Sequence, residues 1–315
     1  MPAAPADQIT ATPILPRFGA EISGVDISRP LDATTAQRLI DLQDEWGVTV
    51  YRNTGLDTES HIAFSRLFGH LELAPAIKSP DGQELPRRLP RELFLSSNIG
   101  PDGEINRNPS SRLYAKGDRL WHTDSSFMPV RSAYSLLLAH EVPPADGLTW
   151  FADTRSAYDD LPQETKERIE DLVVEHSLWW SRRAAGAEIS EEEIDARTKA
   201  RHKMVYTDPR TGRRALYVGA HARDVIGMER EEGRRLIAEL NAWIARPEYV
   251  FSVAWQVGDM VIWNNLISQH RGGEFDIDNH RREMRRTTVR EATPQDAGAD
   301  PFSALFSEMP QLIKS

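Results

Sequence analysis

The chain has 315 residues, with 48 acidic against 38 basic side chains, a formal charge of −10 and no cysteine. The missing cysteine excludes disulfides, Fe–S clusters and thiol catalysis, and leaves any metal to His, Asp or Glu. The acidic balance speaks against nucleic acid as a partner, and no run approaches the ~20 apolar residues of a membrane span.

The opening Met-Pro-Ala-Ala-Pro-Ala-Asp lacks the basic and apolar regions of a signal peptide, which predicts a cytoplasmic protein. Residues 1–16 are Pro/Ala-rich and read as a disordered N-terminus. Residues 18–28 alternate as a strand. Ala36, Leu39, Ile40, Leu42 and Trp46 share one face of a helix over 34–46, which Gly47 stops before an apolar strand at 48–51. A second helix is expected from Thr58 to Leu67. Residues 75–119 are rich in Pro, Gly, Arg, Asp and Asn, with one apolar island at 93–95; a long irregular segment of this kind reads as a lid. Strands follow at 132–143 and 148–152, and a helix at 162–172. Residues 181–203 are charged and helix-prone, as in an exposed insertion. Strands at 204–207 and 215–218 flank a turn-rich Asp-Pro-Arg-Thr-Gly-Arg joint, as in a hairpin. A helix over 229–245 precedes strands at 249–255, 260–263 and 284–289. Many strands separated by turns predict a mainly β fold with flanking helices. The organisation is one domain over 17–290 and a tail over 291–315.

His122 and Asp124 stand in Trp-His-Thr-Asp-Ser-Ser-Phe. In an extended strand, residues i and i+2 face the same way, so an imidazole and a carboxylate can converge. His270, in Ser-Gln-His-Arg-Gly-Gly, can complete a set of two His and one carboxylate, which suits Fe(II) with open positions. Arg281, Arg282, Arg285 and Arg286 follow. In a strand, Arg282 and Arg286 share a face, and guanidinium forks match carboxylates. Read from residues alone, a metal-dependent hydrolase or a non-catalytic jelly-roll binding protein remains open beside an oxygenase.

Further stretches are Gly-Leu-Thr-Trp-Phe-Ala-Asp-Thr-Arg at 147–155, Val-Gly-Asp-Met-Val-Ile-Trp-Asn-Asn at 257–265 and Arg-Arg-Glu-Met-Arg-Arg-Thr-Thr at 281–288. With the His-x-Asp segment, they make the chain similar to the taurine dioxygenase and dichlorophenoxyacetate dioxygenase family of Fe(II)/2-oxoglutarate oxygenases. It resembles the aryloxyalkanoate branch most. The resemblance covers most of 18–290 and implies a double-stranded β-helix, a cupin-like jelly roll, with Fe(II), 2-oxoglutarate and O2 as cofactor and co-substrates. It implies His122, Asp124 and His270 as metal ligands, Thr149 and Arg286 on the 2-oxoglutarate, and Arg282 near the substrate. Lys78, Ser126 and Asn98 are further substrate-binding candidates. The implied substrate is a small anionic organic molecule, a carboxylate such as an aryloxyalkanoate; a sulfonate, an alkylsulfate or an amino acid are alternatives. A homo-oligomer is also implied. One departure stands out: the family's Trp-Asp-Asn-Arg before the distal His is Trp263-Asn264-Asn265-Leu266 here, which loses a carboxylate and a guanidinium together.

Overall fold

A computed structural model describes residues 8–74, 76 and 87–291. The chain opens on a hairpin of β1 (Thr10–Leu15) and β2 (Phe18–Ser23). The disorder expected for residues 1–16 is therefore corrected from Thr10 onward; residues 1–7 lie outside the described residues. Thr10, Thr12 and Ile14 are β-branched, and pairing with β2 satisfies their backbone, while Pro13 is tolerated because β1 is an edge strand.

Helix α1 (Ala33–Trp46) is capped by Asp32, whose carboxylate accepts the Thr35 N–H at 2.9 Å, and it ends at Gly47 with φ 71°. Next come β3 (Val48–Tyr51), α2 (Thr58–Ser65), β4 (Phe94–Ser97), α3 (Pro109–Lys116), β5 (Ser132–Glu141), β6 (Thr149–Asp153), α4 (Thr154–Asp159) and α5 (Gln163–Ile169). The middle of the chain carries β7 (Val173–His176), α6 (Leu178–Ala184), α7 (Glu191–Asp195), β8 (Ala200–Lys203), β9 (Val205–Thr207), β10 (Arg214–Leu216) and β11 (Ala222–Val225). The last elements are α8 (Arg230–Ile244), β12 (Val250–Val253), β13 (Met260–Asn264), β14 (Ser268–Gly272) and β15 (Glu283–Arg290).

Seven strands form the main sheet in the order β1-β2-β3-β13-β5-β15-β4, antiparallel except for β2 and β3. A three-stranded antiparallel sheet, β12-β6-β14, lies across it. Phe18, Val50, Leu137, Phe151, Phe251 and Trp263 pack together between the two sheets. Leu39, Leu42 and Phe64 from α1 and α2 bury the outer face of the main sheet against Leu136, Leu138 and Ile262. Leu236, Ile237 and Leu240 of α8 pack with Ala152 of β6. The result is sheet-rich with flanking helices, consistent with a jelly-roll core.

Two expectations change in detail. The apolar island at 93–95 is the start of β4, which pairs with β15 at the edge of the main sheet. The charged stretch 181–203 is not a loose insertion. Arg223 of β11 is fully buried and binds Asp195 at 2.6 Å as well as Glu191, and Ile194 is buried beside Trp179. The charges there form a network: Glu191 meets guanidinium groups from α6, β11 and α8, and Asp195 meets Arg223 of β11.

Candidate functional site

His122 and His270 are paired across a β-bridge. His122 N–H donates to the His270 carbonyl at 3.0 Å, and His270 N–H returns the bond at 2.8 Å. Their rings lie 4.2 Å apart, centre to centre. Asp124 follows at the start of a turn, and Ser125 adopts φ 51°. The carboxylate therefore reaches the histidines from a turn beside a single bridge, not from a continuous strand. One ligating atom from each of His122, Asp124 and His270 lies within 4.8 Å of the others, and all three side chains are buried.

The protonation pattern follows from the contacts. A carbonyl only accepts, so His122 Nδ1 donates to the Leu120 carbonyl at 2.7 Å, which leaves Nε2 as a lone pair. Burial, reinforced by the neighbouring His122 and Arg286, holds the His270 pKa well below the ordinary histidine value, so its imidazole stays neutral. His270 Nε2 is 3.8 Å from Asp124 Oδ2. Burial pushes the Asp124 pKa up, but the Arg286 guanidinium, then the two neighbouring histidines and a bond from Ser135, outweigh it and leave Asp124 ionised. Two imidazoles and one carboxylate, with ligating atoms close together, fit a divalent metal that keeps open positions.

A cavity of about 270 Å³ opens from this cluster. His122, His270, Thr149, Arg282 and Arg286 line it, with Leu137 and Trp263 as apolar wall and Ser111 and Ala115 of α3 facing in. Thr149 Oγ1 accepts the Trp255 indole N–H at 2.9 Å, so its own proton points elsewhere. The two arginines differ. Arg286 Nη1 donates to Asp124 Oδ1. Among the described residues, the Arg282 guanidinium has no hydrogen bond and no carboxylate partner. Burial lowers its pKa to about 10, and the charge of Asp118 offsets this only in part. Glu283 is taken up by Arg88 and Arg285, and Asp276 by Asn279.

The other candidates do not all converge. Asn98 lines the cavity, but its amide is spent on backbone: Nδ2 donates to the Ile277 and His280 carbonyls at 3.1 and 2.8 Å, and Oδ1 accepts the Arg282 N–H at 2.8 Å. These bonds make Asn98 a staple under the Arg282 backbone. Ser126 turns away from the cavity and meets His176 Nδ1 at 3.1 Å. Lys78 lies outside the described residues. Asn264 Oδ1 accepts the Leu266 N–H at 2.9 Å and Leu266 packs against Tyr217, so the departure from the family wording is absorbed within its own turn. Three residues escaped the sequence reading. Asn265 and Ser135 bond to Asp124, and buried Glu72 accepts from Ser132 at 2.7 Å and from Ser125 at 3.3 Å. Burial pushes the Glu72 pKa up to about 7, against the Ser132 bond and the Arg286 charge.

The profile of the taurine catabolism dioxygenase TauD, TfdA family matches residues 10–288. The chain belongs to this family. It is 37% identical over 283 residues to the alpha-ketoglutarate-dependent 2,4-dichlorophenoxyacetate dioxygenase of Cupriavidus pinatubonensis, covering 89% of this chain and 97% of that protein. It is 32% identical over 282 residues to the (S)-phenoxypropionate/alpha-ketoglutarate-dioxygenase of Sphingobium herbicidovorans, with 85% and 91% covered. A solved structure of AAD-2 in complex with Mn(II) and N-oxalylglycine superposes with a TM-score of 0.80 at 35% identity, covering 91% of this chain and 98% of that one. This TauD/TfdA-family chain is an enzyme of the 2-oxoglutarate-dependent dioxygenase type, dependent on a metal and 2-oxoglutarate.

Proposed function

We propose that the protein is an Fe(II)- and 2-oxoglutarate-dependent dioxygenase that hydroxylates a small organic anion, giving succinate and CO2. His122, Asp124 and His270 would hold the iron, which supplies O2 activation when bound. The single observation that carries the reading is the buried His-Asp-His cluster at the end of a cavity that also presents an unpaired guanidinium.

The geometry favours a division of labour opposite to the one the family resemblance suggested. Arg282, with the Thr149 hydroxyl, takes the distal carboxylate of 2-oxoglutarate; Arg286 takes the substrate anion. Arg286 already neighbours the metal carboxylate, whereas Arg282 stands four residues earlier, just before β15 begins, and has no bond to that carboxylate. An unpaired, half-buried guanidinium gains most from a carboxylate. Leu137, Trp263 and Phe275 wall the cavity between the two cations, which suits a substrate with an apolar body and one charged end. The named relatives act on 2,4-dichlorophenoxyacetate and (S)-phenoxypropionate, which supports an aryloxyalkanoate; hydroxylation next to the ether oxygen would then release a phenol.

The lid expected over 75–119 lies in part outside the described residues; Ser111, Ala115 and Asp118 near its end line the cavity, which supports reading that end as part of a lid that excludes water during turnover. The test is succinate formation across aryloxyacetates, aryloxypropionates, alkyl sulfates, sulfonates and N-acyl amino acids. The reading expects substrate-stimulated succinate with an aryloxyalkanoate. Stimulation only by alkyl sulfates or sulfonates would move the substrate class, and no oxoglutarate-dependent O2 uptake with any of them would remove the reading.

A further inference from the structure

Asp124 is held from both sides. Arg286 takes Oδ1, and Ser135 Oγ donates to Oδ2 at 2.7 Å. Ser135 in turn accepts from Asn265 Nδ2 at 3.0 Å. Asn265 Oδ1 accepts the Asp124 backbone N–H at 3.1 Å and the Trp263 indole N–H at 3.0 Å, and the Asn265 carbonyl accepts the Thr123 hydroxyl. The directions of these bonds are forced. A backbone N–H and an indole N–H only donate, so the amide oxygen must face them and the amide nitrogen must face Ser135. An ionised carboxylate only accepts, so the single Ser135 proton goes to Asp124 and its oxygen is left to accept from Asn265.

We propose that Asn265 and Ser135 are positioning residues for the metal carboxylate: together they fix the rotation of Asp124 and the backbone turn that carries it, through one directed hydrogen-bond chain. Neither residue reaches the cavity; both act through Asp124. Ser135 sits on β5 opposite Trp263 of β13 and Thr288 of β15, a central place in the main sheet that cannot yield. Asn265 and Ser135 are 1% and 0% exposed, so losing either partner leaves a buried polar group unpaired. The same amide anchors Trp263, whose ring lies 4.6 Å from the His270 ring, so Asn265 joins the carboxylate arm of the site to one imidazole arm. Hydrogen-bond partners of metal ligands set ligand orientation and affinity.

This inference rests on the metal reading of the cluster, and one experiment separates the two. Mn(II) alone is titrated into the full chain by calorimetry, and melting temperatures are recorded for each variant. Ser135→Ala is expected to weaken Mn(II) about 10-fold and Asn265→Ala by about 10- to 100-fold. The double variant is expected to lose less than the product of the single losses, because Asn265 acts partly through Ser135. Ser135→Ala removes one hydroxyl, so it decides the matter even where Asn265→Ala fails to fold. An unchanged Mn(II) dissociation constant in Ser135→Ala, with or without a lower melting temperature, would overturn the positioning role. Independent, multiplying losses would overturn the chain. No Mn(II) binding by the unaltered protein would overturn the metal reading itself.

Discussion

At the Asp124 end of the cavity, both carboxylate oxygens, the adjoining backbone N–H and the Ser125 hydroxyl have protein partners within hydrogen-bond reach. At the Arg282 end, the backbone is pinned by Asn98 while the guanidinium has no hydrogen bond or carboxylate partner among the described residues. A group that must hold one geometry is surrounded by fixed donors; a group that must receive a charged ligand is held by its main chain and left open at its tip. On the proposed function, the contrast separates a part that would position the metal from a part that would receive a dicarboxylate.

The largest effect is expected where the comparison is most sharply drawn. Asp124→Ala should cost more metal affinity than the ~10–100-fold lost when a ligand's hydrogen-bond partner is removed, and should abolish turnover. Mn(II) binding at wild-type strength in that variant would place the metal elsewhere. Arg286→Met comes next. In metal-saturated enzyme it should raise the substrate KM at least ~10-fold, the worth of a charge-assisted bond. It should also increase the share of 2-oxoglutarate consumed without product.

The candidate metal cluster was legible in part: spacing offers His122 and Asp124 as a pair, while His270, distant in sequence, joins them through the family resemblance, and the structure brings the three together. The mainly β fold with flanking helices was legible too, since α1, α8 and the buried strands β3 and β13 each carry their own periodicity and caps. The rest depends on partners distant in sequence. Asn265 gains its meaning from Ser135, 130 residues away. The roles of Arg282 and Arg286 turn on which of them meets Asp124, and an i, i+4 pattern is silent on that. Asn98 was a fair cavity residue by position, but only the loop carbonyls at 277 and 280 reveal that its amide is already occupied.

A smaller effect tests the backbone pin. Asn98→Ala should weaken 2-oxoglutarate by a few-fold, roughly one neutral hydrogen bond, and leave the substrate KM near its starting value. Equal loss of both would make Asn98 a general structural support. A separate effect, on stability and not on binding, lies outside the cavity. His61 packs behind β15, with Nε2 3.3 Å from the Leu136 carbonyl and 3.4 Å from Thr287 Oγ1. Burial lowers its pKa from 6.5 to about 4, against the pull of the Leu136 carbonyl. Below 6.5 the unfolded chain takes up a proton that the folded chain refuses, so stability falls as pH drops from about 6.5 to about 4, by at most ~1.4 kcal/mol per pH unit. His61→Gln should flatten that limb in denaturant titrations. An unchanged slope would assign it to other groups.

The central claim is that the far carboxylate of 2-oxoglutarate is received by the unpaired guanidinium. The dissociation constant of 2-oxoglutarate should be measured with metal-saturated wild-type, Arg282→Met and Arg286→Met proteins. The account predicts that Arg282→Met weakens binding at least ~10-fold, the worth of a charge-assisted bond, while Arg286→Met leaves it close to wild type. Loss confined to Arg286→Met, with Arg282→Met unaffected, would contradict it.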